Sequence, residues 1–183
     1  NALRHQAKIL LANHAKMKTR ILSASADYDT SAVEAGFIVF CHTDCEPDIR
    51  DLQGFVPVAK YANKSALNEN EIGTVERFRF IVSPELSAYA DSGAAIAGTD
   101  LFSTTGTSAD VYPYILMGEE GAFDVALRGE NSVDPTHIPH TQKDKSDPLG
   151  QRGYVGATFW SAVLVANNGW MAVIEAGTTD TSS

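Results

Sequence analysis

The chain has 183 residues, of which 44% are hydrophobic and 20% are charged, and its formal net charge is −9. This composition excludes an intrinsically disordered chain, and the length suits one domain or two small lobes that share a core. The negative charge repels phosphate and therefore argues against nucleic-acid binding as the main task of the protein.

The charge is unevenly distributed along the sequence. No acidic residue precedes Asp27, whereas five basic residues do: Arg4, Lys8, Lys16, Lys18 and Arg20. This segment is interpreted as a solvated helix face or, alternatively, as an electrostatic contact with an acidic neighbouring subunit. No signal peptide or membrane-spanning apolar run is visible. The first residue is Asn1, so the sequence is expected to be a fragment or a processed chain.

Helices are predicted mainly in the first half. Residues 3–22 are predicted to form an amphipathic helix, because apolar residues recur along them at helical spacing. The continuous apolar run Phe37–Cys41 predicts a buried strand. A short helix is expected after it, over about residues 46–52. Pro57 then favours a turn into another short helix that ends near Tyr61, rather than a central strand.

Strands and loops are predicted for the following region. Residues 77–82 and 111–117 have the apolar, aromatic-rich character of strands, and Pro113 predicts an edge position or a bulge for the second. Small and polar residues predict surface loops over residues 91–110 and 128–150.

The end of the chain predicts further strands. Residues 123–127 are expected to form a short one. The apolar stretches 154–166 and 170–176 flank Asn167-Asn168-Gly169, and the Asn-Gly pair indicates either a hairpin or one kinked strand. The whole pattern predicts a mixed α+β fold.

Two cysteines, Cys41 and Cys45, are too few for a disulfide framework or a zinc site, and they suit a reduced, intracellular origin. Cys45 stands near a predicted helix start, where a thiolate is favoured, and His42 is a possible base for it. The alternative is that Cys45 is a small buried side chain.

A second group of residues has the composition of a metal site. It comprises His137, His140, Asp134 and Asp144. Pro139 rules out a regular helix between the two histidines, and a long polar loop offers ligands little support. An ordinary surface loop is the alternative interpretation.

Other catalytic patterns are not found in the sequence. Glu119 and Glu120 form no recognisable acid–base pair with Asp134, and Ser83 and Ser161 lack a nucleophile elbow. The glycines form no phosphate-binding loop. The protein is therefore expected not to be an enzyme and to have no catalytic, cofactor-binding or metal-binding residue.

A series of motifs in a fixed order resembles a known family. The motifs are Gly36-Phe37-Ile38-Val39-Phe40-Cys41-His42 with Asp48-Ile49-Arg50-Asp51-Leu52, Phe55-Val56-Pro57-Val58 with Lys60-Tyr61, Asn70-Glu71-Ile72-Gly73 with Arg79-Phe80-Ile81, Asp110-Val111-Tyr112-Pro113, and Asp147-Pro148-Leu149-Gly150-Gln151-Arg152-Gly153. Over residues 1 to about 177 they resemble the major capsid proteins of podophages related to phage N-four, which have the Hong Kong ninety-seven-type capsid fold.

The resemblance implies an architecture. Residues 1–118 would be mainly the axial domain near the capsomer symmetry axis, and residues 119–183 would be strands that return to the peripheral domain. The family's amino-terminal arm, long hairpin loop and spine helix have no counterpart in the chain, which therefore looks like a carboxy-terminal portion. Cys45 and Glu46 stand where the family would have an ordinary helix start.

The resemblance also implies partners. Copies of the protein would form hexamers and pentamers of an icosahedral shell, in a virion assembled in the host bacterial cytoplasm. Portal, scaffolding or decoration proteins would join them, and packaged double-stranded DNA would touch the inner face non-specifically, with no membrane involved. The expected interface features are the loops 91–110 and 128–150 and Arg152 beside Asp147, and solvated loops are the alternative.

Three other functions remain open at the level of sequence. One is an encapsulin-like cellular compartment with the same fold. Another is a small hydrolase that uses Cys45 or the loop with His137 and His140. The third is a phage decoration or binding module, which the first helix argues against.

Overall fold

A strand of five apolar and aromatic-rich residues lies inside the main sheet of the protein. In the computed structural model, which describes residues 1–24, 30–61, 66–125, 133–143 and 145–181, β1 is Phe37–Cys41. It pairs in parallel with β4 (Phe78–Val82) and antiparallel with β5 (Val111–Met117). All of its residues except Phe40 are buried, as the continuous apolar run predicts. The predicted strands at these three places are confirmed.

Six strands form this sheet in the order β10-β5-β1-β4-β3-β2. The other three are β2 (Val56–Pro57), β3 (Glu71–Val75) and β10 (Met171–Gly177). β3 was not among the predicted strands, although all five of its residues are buried. Glutamate and glycine are unusual in strands, and here pairing with β4 overrides their low propensity.

The first helix is shorter than predicted. α1 covers Ala2–Ala12, and the expected continuation to residue 22 is wrong. His14 adopts a positive φ of 55°. The amide of Ala15 bonds to the carbonyl of Leu10 and that of His14 to the carbonyl of Leu11. This pair of bonds is a Schellman motif, which ends a helix by satisfying its last carbonyls.

The short helix after β1 is confirmed, with bounds closer together than expected. A 3₁₀ turn at Thr43–Cys45 leads into α2 (Glu46–Arg50). The predicted turn near Pro57 is also present, because β2 has only two residues and a 3₁₀ turn, Val58–Lys60, follows it. Pro57 therefore lies in an edge strand.

Pro113 lies in a strand that has two neighbours. β5 pairs with β1 only at residues 115–117, whereas its pairing with β10 extends from Val111 to Met117 and sets Pro113 opposite Glu175. At Pro113 the strand therefore has one neighbour, and the missing amide proton breaks no ladder bond with β1. The predicted edge position is correct at this residue, although β5 as a whole is internal.

The hydrophobic core lies between α1, α2 and the six-stranded sheet. Its fully buried members include Leu10, Phe37, Ile49, Phe80 and Leu116. The start of β10 is also tied to the end of α1, because Trp170 donates from Nε1 to the carbonyl of Asn13 at 2.9 Å.

Two pairs of short strands form outside this sheet. β6 (Ala122–Asp124) pairs with β9 (Val163–Val165), and β7 (Val133–Ile138) pairs with β8 (Tyr154–Phe159). The predicted loop 128–150 is therefore wrong at β7, and its residues 128–132 and 144 lie outside the described residues. The predicted strand 123–127 extends to Asp124, and its last two residues also lie outside the described ranges.

The expected hairpin around Asn167-Asn168-Gly169 is wrong, and so is its alternative, one kinked strand. Asn168–Trp170 is a 3₁₀ turn, and the strands on its two sides pair with different partners, β9 with β6 and β10 with β5. The side chain of Asn167 accepts a bond from the amide of Gly169. This local bond favours the 3₁₀ turn over the two-residue hairpin turn.

The chain divides into two compact units. The first consists of Asn1–Gly121 and Asn167–Ser183, and the second of Ala122–Ala166. The content is mixed α and β, mostly strands with two short helices, in agreement with the predicted α+β class. The assignment of residues 1–118 and 119–183 to axial and peripheral domains stays a prediction.

Candidate functional site

Polar side chains join the residues after β10 to α2, and join β5 to the 3₁₀ turn after β1. Oδ2 of Asp48 accepts bonds from the hydroxyl of Thr178 at 2.7 Å and from the amide of Thr179 at 2.9 Å. The hydroxyl of Tyr112 donates to Oδ2 of Asp44 at 2.8 Å. These carboxylates are engaged by hydroxyl and amide donors, so the network has the character of a structural connection.

The loop 91–110 is organised around one buried carboxylate. Asp110 is 1% exposed. Its Oδ1 accepts from the amide of Asp91 at 3.0 Å, and its Oδ2 accepts from the amide and the hydroxyl of Thr104 at 3.0 and 2.6 Å. The bonds from Thr104 and then from Asp91 lower the pKa of Asp110. A stretch predicted from its composition to be a surface loop thus has a defined conformation.

A buried ion pair lies between β3 and β4. The guanidinium of Arg79, which is 3% exposed, lies 3.9 Å from Oε1 of Glu71. Glu71 also accepts bonds from the hydroxyl of Tyr61 at 3.0 Å and from the amide of Leu67 at 2.6 Å. Nε of Arg79 has no hydrogen-bond partner, and the guanidinium lies 5.3 Å from the centre of the Tyr61 ring.

The cysteine pair lies in the hydrophobic core. Cys41 and Cys45 are both fully buried. Burial raises the pKa of the Cys45 thiol, an effect that a hydrogen bond with Tyr114 only partly offsets. Nδ1 of His42 accepts a bond from the amide of Asp44 at 3.1 Å and so caps the 3₁₀ turn. A buried thiol with a raised pKa is a poor nucleophile at neutral pH.

Of the two histidines expected in a long loop, one lies in a strand and the other lies outside it. His137 lies in β7 opposite Val155, and His140 follows the end of that strand. No group of three or more His, Cys, Asp or Glu side chains that could hold a metal occurs in the parts of the chain that the structure describes. Asp144, the fourth member of the proposed cluster, lies outside those parts.

An apolar cleft of about 330 Å³ lies between the start of α1, α2 and β10. Leu3, Ile49, Phe80 and Ile174 are among its lining residues. Asp48 also reaches it, but its Oδ2 is occupied by Thr178 and Thr179. The lining therefore offers a hydrophobic surface without a free acid–base pair.

Comparison with known proteins shows a distant similarity to a viral structural protein. No protein-family model matches the chain. The chain is similar to the major capsid protein of Pseudomonas phage KPP21. The two sequences are 19% identical over 175 residues, which cover 89% of this chain and 44% of that protein. The chain thus spans less than half the length of this curated relative, and the distant similarity supports a phage capsid protein.

For a capsid protein, the sites that matter are surfaces that meet other subunits. The predicted neighbours Asp147 and Arg152 are in contact, since the amide of Arg152 donates to Oδ2 of Asp147 at 2.6 Å. This contact involves the backbone of Arg152, and it closes an exposed turn in the second unit. It was predicted as an interface feature, and that role stays a prediction.

Two residues of the basic segment are paired within the chain. Nε of Arg4 donates to Oε1 of Glu76 at 2.8 Å, and Nζ of Lys16 donates to Oε2 of Glu120 at 3.3 Å. All four side chains are exposed. Exposed pairs of this kind contribute little to stability. Because their side chains are exposed, both basic groups are accessible to solvent.

The second unit exposes many large apolar side chains, a feature that the sequence analysis missed. They include Val133, Val155, Phe159, Trp160, Val163 and Leu164. Every residue of β7, β8 and β9 is exposed. Exposed apolar clusters mark interaction surfaces, and period-two alternation in residues 133–138 and 154–159 was the signal available in the sequence.

Among the described residues, no helix is both long and apolar enough to cross a membrane.

Proposed function

We propose that this chain is part of the major capsid protein of a tailed phage and has a structural role in the phage head. The observation that carries the proposal is the similarity to a phage major capsid protein along 89% of the chain. The similarity covers more of the chain than the first compact unit contains, so the proposal concerns the chain as a whole.

At the next level of detail, we propose the Hong Kong ninety-seven-type capsid fold and membership of the family related to phage N-four. Residues 1–118 are the axial domain in this proposal, and residues 119–183 are strands of the peripheral domain. The support comes from the ordered motifs of the sequence and from the mixed α+β content.

The proposed assembly consists of hexamers and pentamers of the full-length protein in an icosahedral shell around double-stranded DNA. The portal and scaffolding or decoration proteins are its other partners, and assembly takes place in the host cytoplasm before the shell becomes part of the virion. The net charge of −9 is compatible with DNA contacts that are non-specific and few.

A structural role also accords with the chemistry of the most reactive side chains. The Cys45 thiol is buried and its pKa is raised, and Asp44, Asp48 and Asp110 are held by hydrogen bonds within the fold. Rigid loops are useful in a subunit that must repeat the same contacts many times. The bonds to Asp110 join two parts of the loop 91–110 and are expected to limit its motion.

The test is to isolate particles from a lysate that contains the protein and to identify their most abundant protein by peptide mass spectrometry. Negative-stain microscopy of the same fraction gives the particle shape. The proposal predicts that peptides of this chain dominate fractions with icosahedral heads. It is wrong if the peptides are found only in fractions of small soluble proteins.

A further inference from the structure

The register of β7 and β8 gives their ribbon two different faces. Opposite residues in a strand pair point to the same side. One side, here called the apolar face, carries the pairs Val133–Phe159, Pro135–Ala157 and His137–Val155. The other side, here called the polar face, carries Asp134–Thr158, Thr136–Gly156 and Ile138–Tyr154. Apart from His137, the apolar face contains only hydrophobic residues and proline.

The apolar face is uncovered in the isolated chain. Val155 is 84% exposed and Phe159 is 72% exposed. The next residue, Trp160, is 54% exposed. A two-stranded ribbon on its own is only marginally stable in water, so a contact that covers this face would stabilise it.

The charges of the second unit are nearly balanced. In sequence, residues 122–166 contain four Lys or Arg and five Asp or Glu, a formal charge of −1, so the rest of the chain contributes −8 of the total −9. Like charges repel when two copies approach each other, and this repulsion is smallest where the charges balance. The part of the chain with the exposed apolar ribbon is thus also the part that another copy can approach at the least electrostatic cost.

We propose that the apolar face of the β7–β8 ribbon is a contact surface for a second copy of this chain. This inference rests on the proposed function, in which many copies meet in one shell, and it identifies the surface by which they meet. A nucleic acid is a poor occupant, because the apolar face presents no Lys or Arg to phosphate. Valine and phenylalanine surfaces recognise a similarly apolar surface, which other copies of the chain supply in quantity.

The first experiment compares two substitutions on opposite faces of the same strand. Val155→Lys places a charge on the apolar face, and Thr158→Lys places the same charge on the polar face, where the residue is also exposed. Circular dichroism and thermal unfolding check that both variants fold as the wild type does. Sedimentation velocity over a range of protein concentrations then measures self-association.

The proposal predicts that Val155→Lys lowers the association constant at least about tenfold, because a charge is then desolvated at an apolar contact. Thr158→Lys should leave the constant within about twofold of the wild-type value, as expected for a change outside the contact. Equal effects of the two variants, or a wild type that does not associate at all, would overturn the proposal.

A second experiment identifies the occupant. Val155→Cys is labelled with a benzophenone maleimide, which the buried Cys41 and Cys45 should not take up. The labelled chain is mixed with an isotopically heavy, unlabelled chain and irradiated, and cross-linked peptides are identified by mass spectrometry. Cross-links from position 155 to heavy peptides support a second copy. Cross-links only within the light chain mean that the face packs against its own chain, and the proposal is then wrong.

Experiments with the full-length protein distinguish a failure of the proposed contact surface from a failure of the proposed capsid function. If Val155→Lys forms shells as efficiently as the wild type, the capsid function stands and the proposed contact surface is wrong. If the wild type forms no shells under conditions that suit assembly, the proposed function itself fails.

Discussion

The hydroxyl of Thr178 donates a hydrogen bond of 2.7 Å to Oδ2 of Asp48, which lies 130 positions earlier in the chain. The amide of Thr179 donates to the same oxygen at 2.9 Å. Through these bonds α2 holds the residues that follow β10, the outermost strand on one side of the sheet. The end of the sequence is thereby anchored to an element formed near its beginning.

Asp48→Asn should lower the free energy of unfolding by about 1 kcal/mol at neutral pH, because a charged acceptor is replaced by a neutral one. Burial acts to raise the pKa of Asp48, but the bonds from Thr178 and Thr179 outweigh it and hold the pKa below its ordinary value of 3.8. A carboxyl with a lowered pKa stabilises the fold above its unfolded-state pKa. This contribution is lost as the pH falls through the folded-state pKa.

Urea unfolding of wild type and variant at a series of pH values measures this effect. The stability difference should be constant near neutral pH and should shrink below about pH 4. Asp51→Asn, an exposed neighbour at the end of α2, is the control and should change stability little. An equal loss in both variants would show that the bonds to Asp48 do not stabilise the fold.

Thr104→Val should loosen the loop 91–110, because it removes a hydroxyl donor to the buried Asp110. We expect a loss of about 1–2 kcal/mol in the free energy of unfolding, as is typical of a bond to a charged group. Hydrogen–deuterium exchange should become faster at the amides of Asp91 and Thr104, which both bond to Asp110. Asp100→Asn in the same loop is the control, and faster exchange in both variants would contradict this account.

Arg79→Met should destabilise the protein by about 3–5 kcal/mol, because it leaves the buried Glu71 without its cationic neighbour. Arg77→Met is a matched control, since its side chain lies on the surface 3.5 Å from Glu34 and should contribute about 0.5 kcal/mol or less. Chemical denaturation measures both. Similar losses of unfolding free energy in the two variants would mean that the buried pair between Arg79 and Glu71 contributes no more to stability than an exposed pair.

The two thiols should resist alkylation in the folded protein. Burial, and to a smaller extent the neighbouring Cys45, raises the pKa of Cys41 to about 12, and burial also raises the pKa of Cys45. Both should react with iodoacetamide at neutral pH only after denaturation, which intact-mass spectrometry detects. Fast and selective modification of Cys45 in the native protein would instead favour the hydrolase hypothesis.

The strands with strong hydrophobic runs could be predicted from the sequence, whereas elements fixed by tertiary pairing could not. Phe37–Cys41 and Val111–Met117 are correct to the residue, because long apolar runs leave few alternatives. β3 was missed since its stability comes from pairing with β4 and from the partners of Glu71. The local sequence shows neither the pairing of β3 with β4 nor the hydrogen-bond partners of Glu71.

Turn chemistry explains the other differences. The helix pattern continues past Ala12, but the positive φ of His14 and the Schellman bonds end α1 there. The Asn-Gly pair at residues 168–169 is typical of a hairpin, yet the side chain of Asn167 favours a 3₁₀ turn. In both places a few local hydrogen bonds determine the backbone conformation, which hydrophobic periodicity alone does not predict.

The surfaces are the least predictable part of the candidate site. The loop 91–110 was expected as an interface feature, and the structure adds that Asp91 and Thr104 both donate hydrogen bonds to the buried Asp110. The apolar face of the β7–β8 ribbon was missed, because Pro135 and His137 made the segment resemble a polar loop. Alternation in residues 133–138 and 154–159 was a signal for such a face, and the register of β7 with β8 shows which residues share it.

The most direct test of the capsid account is a cryo-electron microscopy map of particles that contain the protein, at a resolution that separates β-strands. The account predicts that every subunit of the shell contains a six-stranded sheet in the order β10-β5-β1-β4-β3-β2, with α1 packed against it. A shell whose subunits lack this sheet, or a map that places the sheet only in a tail or an internal protein, would contradict the account.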